Sequence, residues 1–171
     1  MILDRPKYLS LFAILVLSFI ANAQTNVELK NERSMYAKVF LKDNGDSQAI
    51  ISASPVHYKK NEVWEEINTA ISSNLNGYQN ESNVIQSYFP GNISGTNKIK
   101  LIVNSSDEIF IHSEKKLIFL NNKNGQNAPN INSQSSIANV IGNSIRYPDI
   151  YTNISDEFTI LNGEIKNNVV L

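Results

Sequence analysis

The sequence Lys98-Ile99-Lys100-Leu101-Ile102-Val103 decides the fold class. Successive side chains of a β-strand point to opposite faces, so Ile99, Leu101 and Val103 share one apolar face, opposite the two lysines and Ile102. A strand that alternates in this way has one face on a core and the other toward solvent. The stretch therefore predicts a half-buried strand of an antiparallel sheet.

Short apolar runs of strand length recur along the rest of the chain, each bounded by Gly, Pro, Asn or Asp. They are the runs 36–41, 49–51, 56–58, 63–67, 84–89, 109–111, 117–120, 144–147, 158–161 and 165–171. No long helical period is present. About ten short strands separated by turn residues predict an all-β fold, an antiparallel β-sandwich, over residues 36–171.

The connections between these runs are predicted from their turn residues. Asn162-Gly163 separates two runs, and Asn-Gly is a preferred pair for a two-residue type I′ turn. Lys59 to Glu62 also separates two runs but lacks a glycine, which favours a longer loop there. The Asn-rich segments 74–83 and 121–132 are predicted to be loops, because asparagine satisfies turns and tolerates left-handed backbone.

The N-terminus has the pattern of a cleaved secretory signal peptide. A basic start precedes the apolar run Leu9 to Ile20, and Ala21-Asn22-Ala23 supplies the small residues of a cleavage site. The run is about a dozen residues long, shorter than the ~20 that span a bilayer. We expect a signal peptide at 1–23, a flexible leader at 24–35, no membrane span after cleavage, and a secreted or cell-surface location. The alternative is an uncleaved membrane anchor or a buried helix.

Composition excludes several function classes. The chain has no cysteine, which excludes disulfides, thiolate metal sites and a cysteine nucleophile. Its net charge is −1, and removal of residues 1–23, which carry +1 from Arg5, Lys7 and Asp4, leaves −2. A chain with this net charge has no excess of basic residues to form the positively charged face that binds nucleic acid. No nucleic-acid partner is therefore expected.

Five segments of the chain share their order and spacing with a known protein family. They are residues 54–68, 77–80, 88–90, 146–151 and 163–171. Together they resemble the N-terminal β-rich module of large secreted bacterial proteins, which include wall-associated and Rhs-type repeat proteins. The resemblance extends over residues 36–171. It implies a β-rich segment that precedes variable domains, with any catalytic activity located in those later domains.

Trp64, flanked by Tyr58 and Tyr78, is the candidate ligand-binding site. A planar aromatic ring matches the apolar face of a sugar, so these rings favour a carbohydrate-binding surface. The alternative is that Trp64 is a core anchor, because aromatic side chains bury the largest apolar area per residue.

The sequence shows no catalytic or metal-binding pattern. His57 and His112 lack metal-ligand spacing and are expected to face solvent on their strands. Residues 42–47 contain oxygen atoms that could bind a cation, but they lack the regularly spaced acidic residues of a calcium-binding loop. A plain turn is therefore expected there. No Gly-x-Ser-x-Gly elbow occurs. We predict no catalytic residue, no cofactor, no metal and no enzymatic activity.

These observations favour an exported, non-enzymatic structural or interaction module, the N-terminal part of a secreted or cell-surface protein. The alternatives are a carbohydrate-binding module and an accessory N-terminal segment of a secreted toxin or hydrolase. The run Ile165 to Leu171 is expected either to lie centrally in the sheet or to continue into a longer polypeptide. The unpaired backbone groups of an edge strand can hydrogen-bond to a strand of another chain or domain. Downstream domains or another protein are therefore the expected partners at Ile165 to Leu171. A surface glycan is a further expected partner.

Overall fold

The computed structural model describes residues 26–94, 97–103, 107–112, 116–117 and 131–171. Within these ranges the regular elements are β-strands and one short 3-10 turn, Lys30–Glu32. The strands form antiparallel pairs, so the all-β fold predicted from the alternating runs is confirmed. The described residues include no helix with the length and apolar character needed to cross a membrane. The predicted signal peptide lies outside the described residues.

The described residues contain eighteen strands rather than about ten, because many strands are only two to four residues long. They are β1 (Val27–Glu28), β2 (Ala37–Leu41), β3 (Ser47–Ile51), β4 (His57–Lys60), β5 (Val63–Glu66), β6 (Ser72–Asn74), β7 (Gly77–Asn80), β8 (Ile85–Pro90), β9 (Asn92–Ile93), β10 (Lys98–Val103), β11 (Asp107–His112), β12 (Lys116–Leu117), β13 (Ile131–Asn132), β14 (Ser136–Ile137), β15 (Asn139–Ile141), β16 (Ser144–Tyr151), β17 (Ile154–Leu161) and β18 (Glu164–Val170).

The described chain divides into two compact units, of which the first comprises residues 26–33 and 38–50. In this unit β1 pairs with β2, with Glu28 opposite Phe40. The guanidinium of Arg33 donates two hydrogen bonds of 2.8 Å to the Glu28 carboxylate. The described part of the predicted leader therefore contains a strand and a 3-10 turn.

The second unit comprises residues 34–37 and the described residues from 51 to 171. Its two larger sheets have the strand orders β11-β10-β8-β7-β6 and β15-β16-β17-β18. Three two-stranded sheets accompany them, β4-β5, β14-β9 and β12-β13. Strand β18, which contains all but Leu171 of the run predicted to pair with a partner, lies at one edge of its sheet.

The two larger sheets of this unit enclose one apolar core. The five-stranded sheet contributes Phe89, which is 2% exposed, and Ile99, which is 1% exposed. The four-stranded sheet contributes Tyr147 and Phe158 among others. The Phe158 ring lies 5.7 Å from that of Phe89 and 6.5 Å from that of Tyr147. Each such aromatic pair adds about 0.5–1.5 kcal/mol beyond area burial. Two sheets around one core make a β-sandwich, with Ile99 on the core face as its alternation predicts.

Two predictions about connections need correction. Asn162-Gly163 is a two-residue turn between β17 and β18, but only Gly163 has a positive φ, of 71°, whereas a type I′ turn needs two such residues. The Asn-rich segment 74–83 is not a loop throughout, because it contains all of β7. Its Asn80 is buried and donates hydrogen bonds to the carbonyls of Asn68 and Ala70, so this asparagine fixes backbone outside its own strand.

Candidate functional site

The hairpin β4-β5 carries Tyr58 and Trp64, two of the three predicted binding residues, and turns more tightly than expected. Only Asn61 and Glu62 lie between the two strands, and Lys60 pairs with Val63. Asn61 has φ 51° and Glu62 has φ 64°, so both residues adopt the left-handed conformation of a two-residue turn. The prediction of a longer loop is therefore wrong, because two non-glycine residues accept the strained backbone.

A pocket of about 130 Å³, here called the Trp64 pocket, lies beside this hairpin. Its apolar wall comes from Tyr58, Trp64, Met35, Val84 and Ile102, and its polar wall comes from Lys59, Asn83 and Gln86. Trp64 is half-buried and lies outside the buried core cluster. The ring is therefore placed to contact a ligand as well as its protein neighbours.

Pairing within the hairpin fixes the aromatic side chains. Tyr58 lies opposite Glu65, is 4% exposed, and donates a hydrogen bond of 2.9 Å to the Glu65 carboxylate. Lys59 lies opposite Trp64, with its ammonium 5.4 Å from the centroid of that ring. Such a cation–π contact is worth roughly 0.5–1 kcal/mol at an exposed site. The hydrogen bond to Glu65 therefore holds the Tyr58 side chain in place, and the Lys59 side chain covers part of the Trp64 ring.

Asn83 anchors the polar wall of the Trp64 pocket. Its amide donates to the Leu161 carbonyl at 2.7 Å, and its carbonyl oxygen accepts from the backbone N–H groups of Val84 at 2.8 Å and Gly163 at 2.9 Å. The side chain is 2% exposed, so these bonds replace water inside the protein. A Cβ at Gly163 would lie 2.7 Å from the Pro55 side chain, which explains why glycine occupies this turn.

The outer face of the five-stranded sheet continues from the Trp64 pocket past Tyr88. The Tyr88 hydroxyl donates to the Glu81 carboxylate at 2.8 Å and to Gln86 at 3.4 Å. Burial, and then the hydrogen bond and negative charge of Glu81, raise the pKa of Tyr88 to about 12. The Lys100 ammonium lies 4.7 Å from the Tyr88 ring centroid and 3.3 Å from the Glu108 carboxylate.

The structure brings together two of the three predicted aromatic residues. Tyr58 and Trp64 line one pocket, whereas Tyr78 lies opposite Phe89 and packs against the apolar core. His57 is fully buried rather than solvent-facing, because its Nδ1 donates a 2.7 Å hydrogen bond to the Ser34 carbonyl. The side chain of His112 lies outside the described part of the chain.

The expected plain turn at 42–47 is hydrogen-bonded within itself. The Gly45 N–H donates to the Lys42 carbonyl at 2.9 Å, and the Asp46 N–H donates to the Asn44 side chain at 3.1 Å. Gly45 has φ 86°, a conformation that glycine adopts readily.

Several residues of the Trp64 pocket could not be predicted from the sequence. Met35, Asn83 and Gln86 carried no local signal, because nothing near them in the sequence shows that the hairpin packs beside them. Ile102 did carry one, since it is an apolar residue on the face that the alternation assigns to lysines. An isolated apolar residue on a polar strand face indicates that something covers it.

Comparisons with known proteins give this chain no relative: no family model matches it, and no curated protein and no solved structure is significantly similar to it.

Proposed function

We propose that this chain is a non-catalytic interaction module that works in the secreted fraction or at the cell surface. In this proposal the Trp64 pocket receives one apolar side chain of a protein partner. The observation that carries the proposal is the half-buried tryptophan at a small pocket with a largely apolar lining. Buried aromatic anchors in small pockets dominate the energetics of many protein–protein interfaces.

The size of the pocket supports a side chain over a complete small molecule. Its volume of about 130 Å³ is well below the ~300–1,000 Å³ of sites that enclose a small-molecule ligand. Tyr58 and Asn83 are hydrogen-bonded within the protein, and Lys59 and Gln86 also have partners, in Glu62 and Tyr88 respectively. A pocket of this kind suits an apolar group with a polar rim around it.

The proposed location rests on residues 1–23, whose basic start, apolar run and small residues follow the order of a signal peptide. The resemblance to N-terminal modules of wall-associated and Rhs-type proteins supports the same compartment and a role beside further domains. Peptide mass spectrometry of the exported protein tests this part. We expect an N-terminus at Gln24, and an intact Met1 would contradict export with cleavage.

Trp64 is the only tryptophan in the chain, so its fluorescence reports on this pocket directly. We expect N-acetyl-leucinamide and N-acetyl-phenylalaninamide to shift the emission to shorter wavelength, because they displace water from the ring. Ile102→Phe should abolish the shift by filling the pocket. Ile109→Phe is the matched control, since Ile109 is exposed and lies outside the pocket lining.

The outcomes separate the candidate functions. A shift that Ile102→Phe abolishes and Ile109→Phe preserves supports the side-chain site. A shift produced by a neutral oligosaccharide, with none from either amide, would replace this proposal with the carbohydrate-binding alternative. The absence of any shift, with both variants folded, would overturn both.

A further inference from the structure

A second and more polar pocket lies on the outer face of the five-stranded sheet. It has a volume of about 360 Å³, within the range of small-molecule sites. We call it the lysine pocket. Its polar and aromatic lining includes Asn74, Asn76, Tyr88, Asn97, Lys98 and Lys100.

The charge of the lysine pocket is positive. Its lining includes two lysines and no carboxylate. Lys98 is exposed, with its ammonium 5.7 Å from the Phe110 ring centroid, and in the described part of the chain no carboxylate lies within ion-pair distance of it. Lys100 is half-buried and is shared with Glu108. Lys98 is therefore the lysine available to an anionic ligand, whereas the charge of Lys100 is partly balanced by Glu108.

Amide side chains surround these lysines. Asn74 donates to the Gln79 side chain at 2.8 Å and accepts from the Asn76 backbone N–H at 2.9 Å, and Asn97 donates to the Asn92 carbonyl at 2.7 Å. These bonds hold two of the amides in place. The Asn76 side-chain amide has no hydrogen-bond partner among the described residues, so its donor and acceptor both remain for a ligand.

A close backbone contact holds the wall that carries Asn74 and Asn76. Gly77 follows these residues with φ 146°, and a Cβ there would lie 2.3 Å from the Phe89 carbonyl oxygen and 2.5 Å from the Gly91 nitrogen. Only glycine permits the β6-β7 turn to approach β8 so closely. The backbone of this one wall is therefore fixed in position beside β8.

We propose that the lysine pocket binds a carboxylate-bearing sugar, such as a uronic acid unit of an acidic polysaccharide. The Lys98 and Lys100 ammonium groups meet the carboxylate, and Asn76 and Asn97 meet ring hydroxyls, which require paired donors and acceptors. Tyr88 supplies apolar surface for the carbon skeleton of the sugar.

The sheet order argues against an acidic peptide in the same pocket. Peptides that bind sheets usually add a strand to a free edge. Strands β8 and β10 lie inside the order β11-β10-β8-β7-β6, so their backbone groups are used within the sheet. The lysine pocket reaches the edge strand β6 only at Asn74, so a ligand there meets mainly the side chains of β8 and β10, which suits a ligand recognised by hydroxyl and carboxylate groups. This proposal does not depend on the Trp64 pocket.

Isothermal titration calorimetry of the full exported chain with trigalacturonic acid tests the proposal. We expect binding that Lys98→Gln weakens about tenfold, because one charge-assisted hydrogen bond is lost. Asn76→Ala should weaken it several-fold. Lys166→Gln and Asn168→Ala, both exposed on β18, are the matched controls and should leave the affinity unchanged.

Three results would overturn the proposal. These are no measurable binding of trigalacturonic acid, binding that Lys98→Gln and Asn76→Ala leave intact, and equal binding of a poly-glutamate peptide that the same variants weaken. The last would assign the pocket to acidic peptides instead. Neutral trigalactose should bind more weakly than the acid, and equal affinity would contradict the role given to the lysines.

Discussion

Glu62 is the residue whose backbone conformation is least expected from its chemistry. A glutamate at φ 64° has no glycine-like freedom, and left-handed backbone costs an L-residue roughly 1–2 kcal/mol. Its carboxylate lies 3.1 Å from the Lys59 ammonium, but the glutamate side chain is 89% exposed. An exposed ion pair contributes little, so it does not offset the strain.

We therefore expect Glu62→Gly to stabilise the protein by about 0.5–1 kcal/mol, because glycine relieves the strain although its unfolded state is more flexible. Urea unfolding followed by circular dichroism measures the change. Glu62→Gln keeps the backbone strain and removes the charge, so it should lie within about 0.5 kcal/mol of the parent. Destabilisation by Glu62→Gly would contradict a strained turn.

Tyr88 makes the protein sensitive to alkaline pH. The pKa of about 12 in the folded chain exceeds the ordinary value near 10, so the folded state retains a proton that the unfolded state loses. The contribution of this pKa difference to the free energy of unfolding is present below pH 10. It is lost as the pH rises from about 10 to about 12. Burial also raises the pKa of Tyr147 and of Tyr151, which adds to this alkaline loss.

Absorbance titration of tyrosinate checks the Tyr88 assignment. The titration curve of the parent protein should contain one ionising tyrosine more than that of Tyr88→Phe. This tyrosine should ionise with a midpoint near pH 12. Glu81→Gln should lower that midpoint without restoring the ordinary value, because burial is the larger cause. An unchanged midpoint in Glu81→Gln would show that the hydrogen bond to Glu81 has no effect on ionisation.

Asn83 shows how separate strands are joined at the Trp64 pocket. It precedes β8 by two residues, yet two of its three hydrogen bonds reach the end of β17 and the turn before β18. Truncation would leave the Gly163 N–H and the Leu161 carbonyl without their partner. Each buried polar group left unpaired costs about 1–3 kcal/mol.

We expect Asn83→Ala to destabilise the protein by about 2–4 kcal/mol, since it loses three bonds and leaves backbone groups unpaired. Chemical denaturation measures this loss, and the exposed Asn168→Ala serves as the control. A loss below about 1 kcal/mol would mean that water replaces the side chain. The Trp64 emission should also change in Asn83→Ala, because a wall of its pocket moves.

Strands in which apolar and polar residues alternate could be predicted from the sequence. Strands without this alternation could not. Strand β10 shows its two faces in its own residues, so Ile99 could be assigned to the core. Strand β7 contains Gly, Gln and Asn and exists because its neighbours supply hydrogen bonds, which a local pattern cannot reveal. The tight β4-β5 turn was missed for a similar reason, since flanking strands impose its backbone on Asn61 and Glu62.

The lining of the Trp64 pocket was predictable only in part. Tyr58 and Trp64 stand close together in the sequence and are placed in one pocket by pairing within a hairpin. Tyr78 is equally aromatic, but its position opposite Phe89 directs it to the core. The face of a residue depends on strand register, and register becomes clear only once the partner strand is known.

The net charge of the sequence bears on the ligands proposed for the two pockets. A net charge of −1 gives no general attraction for polyanions, so binding of an acidic sugar must come from the local field of Lys98 and Lys100. The Trp64 pocket, with its largely apolar lining, depends on the removal of apolar surface from water. Salt therefore acts differently on the two sites.

Raising the ionic strength from about 0.01 M to about 1 M shortens the Debye length from ~30 Å to ~3 Å. We expect the affinity for trigalacturonic acid to fall several-fold over this range, because its interaction with Lys98 is solvent-exposed and screened. The affinity for N-acetyl-leucinamide should stay constant or rise slightly, since salt does not screen apolar burial. Calorimetry and Trp64 fluorescence on one protein preparation measure the two responses. Parallel losses of both affinities would show that salt perturbs the fold itself, whereas a salt-independent trigalacturonic acid affinity would remove the electrostatic basis of the lysine pocket.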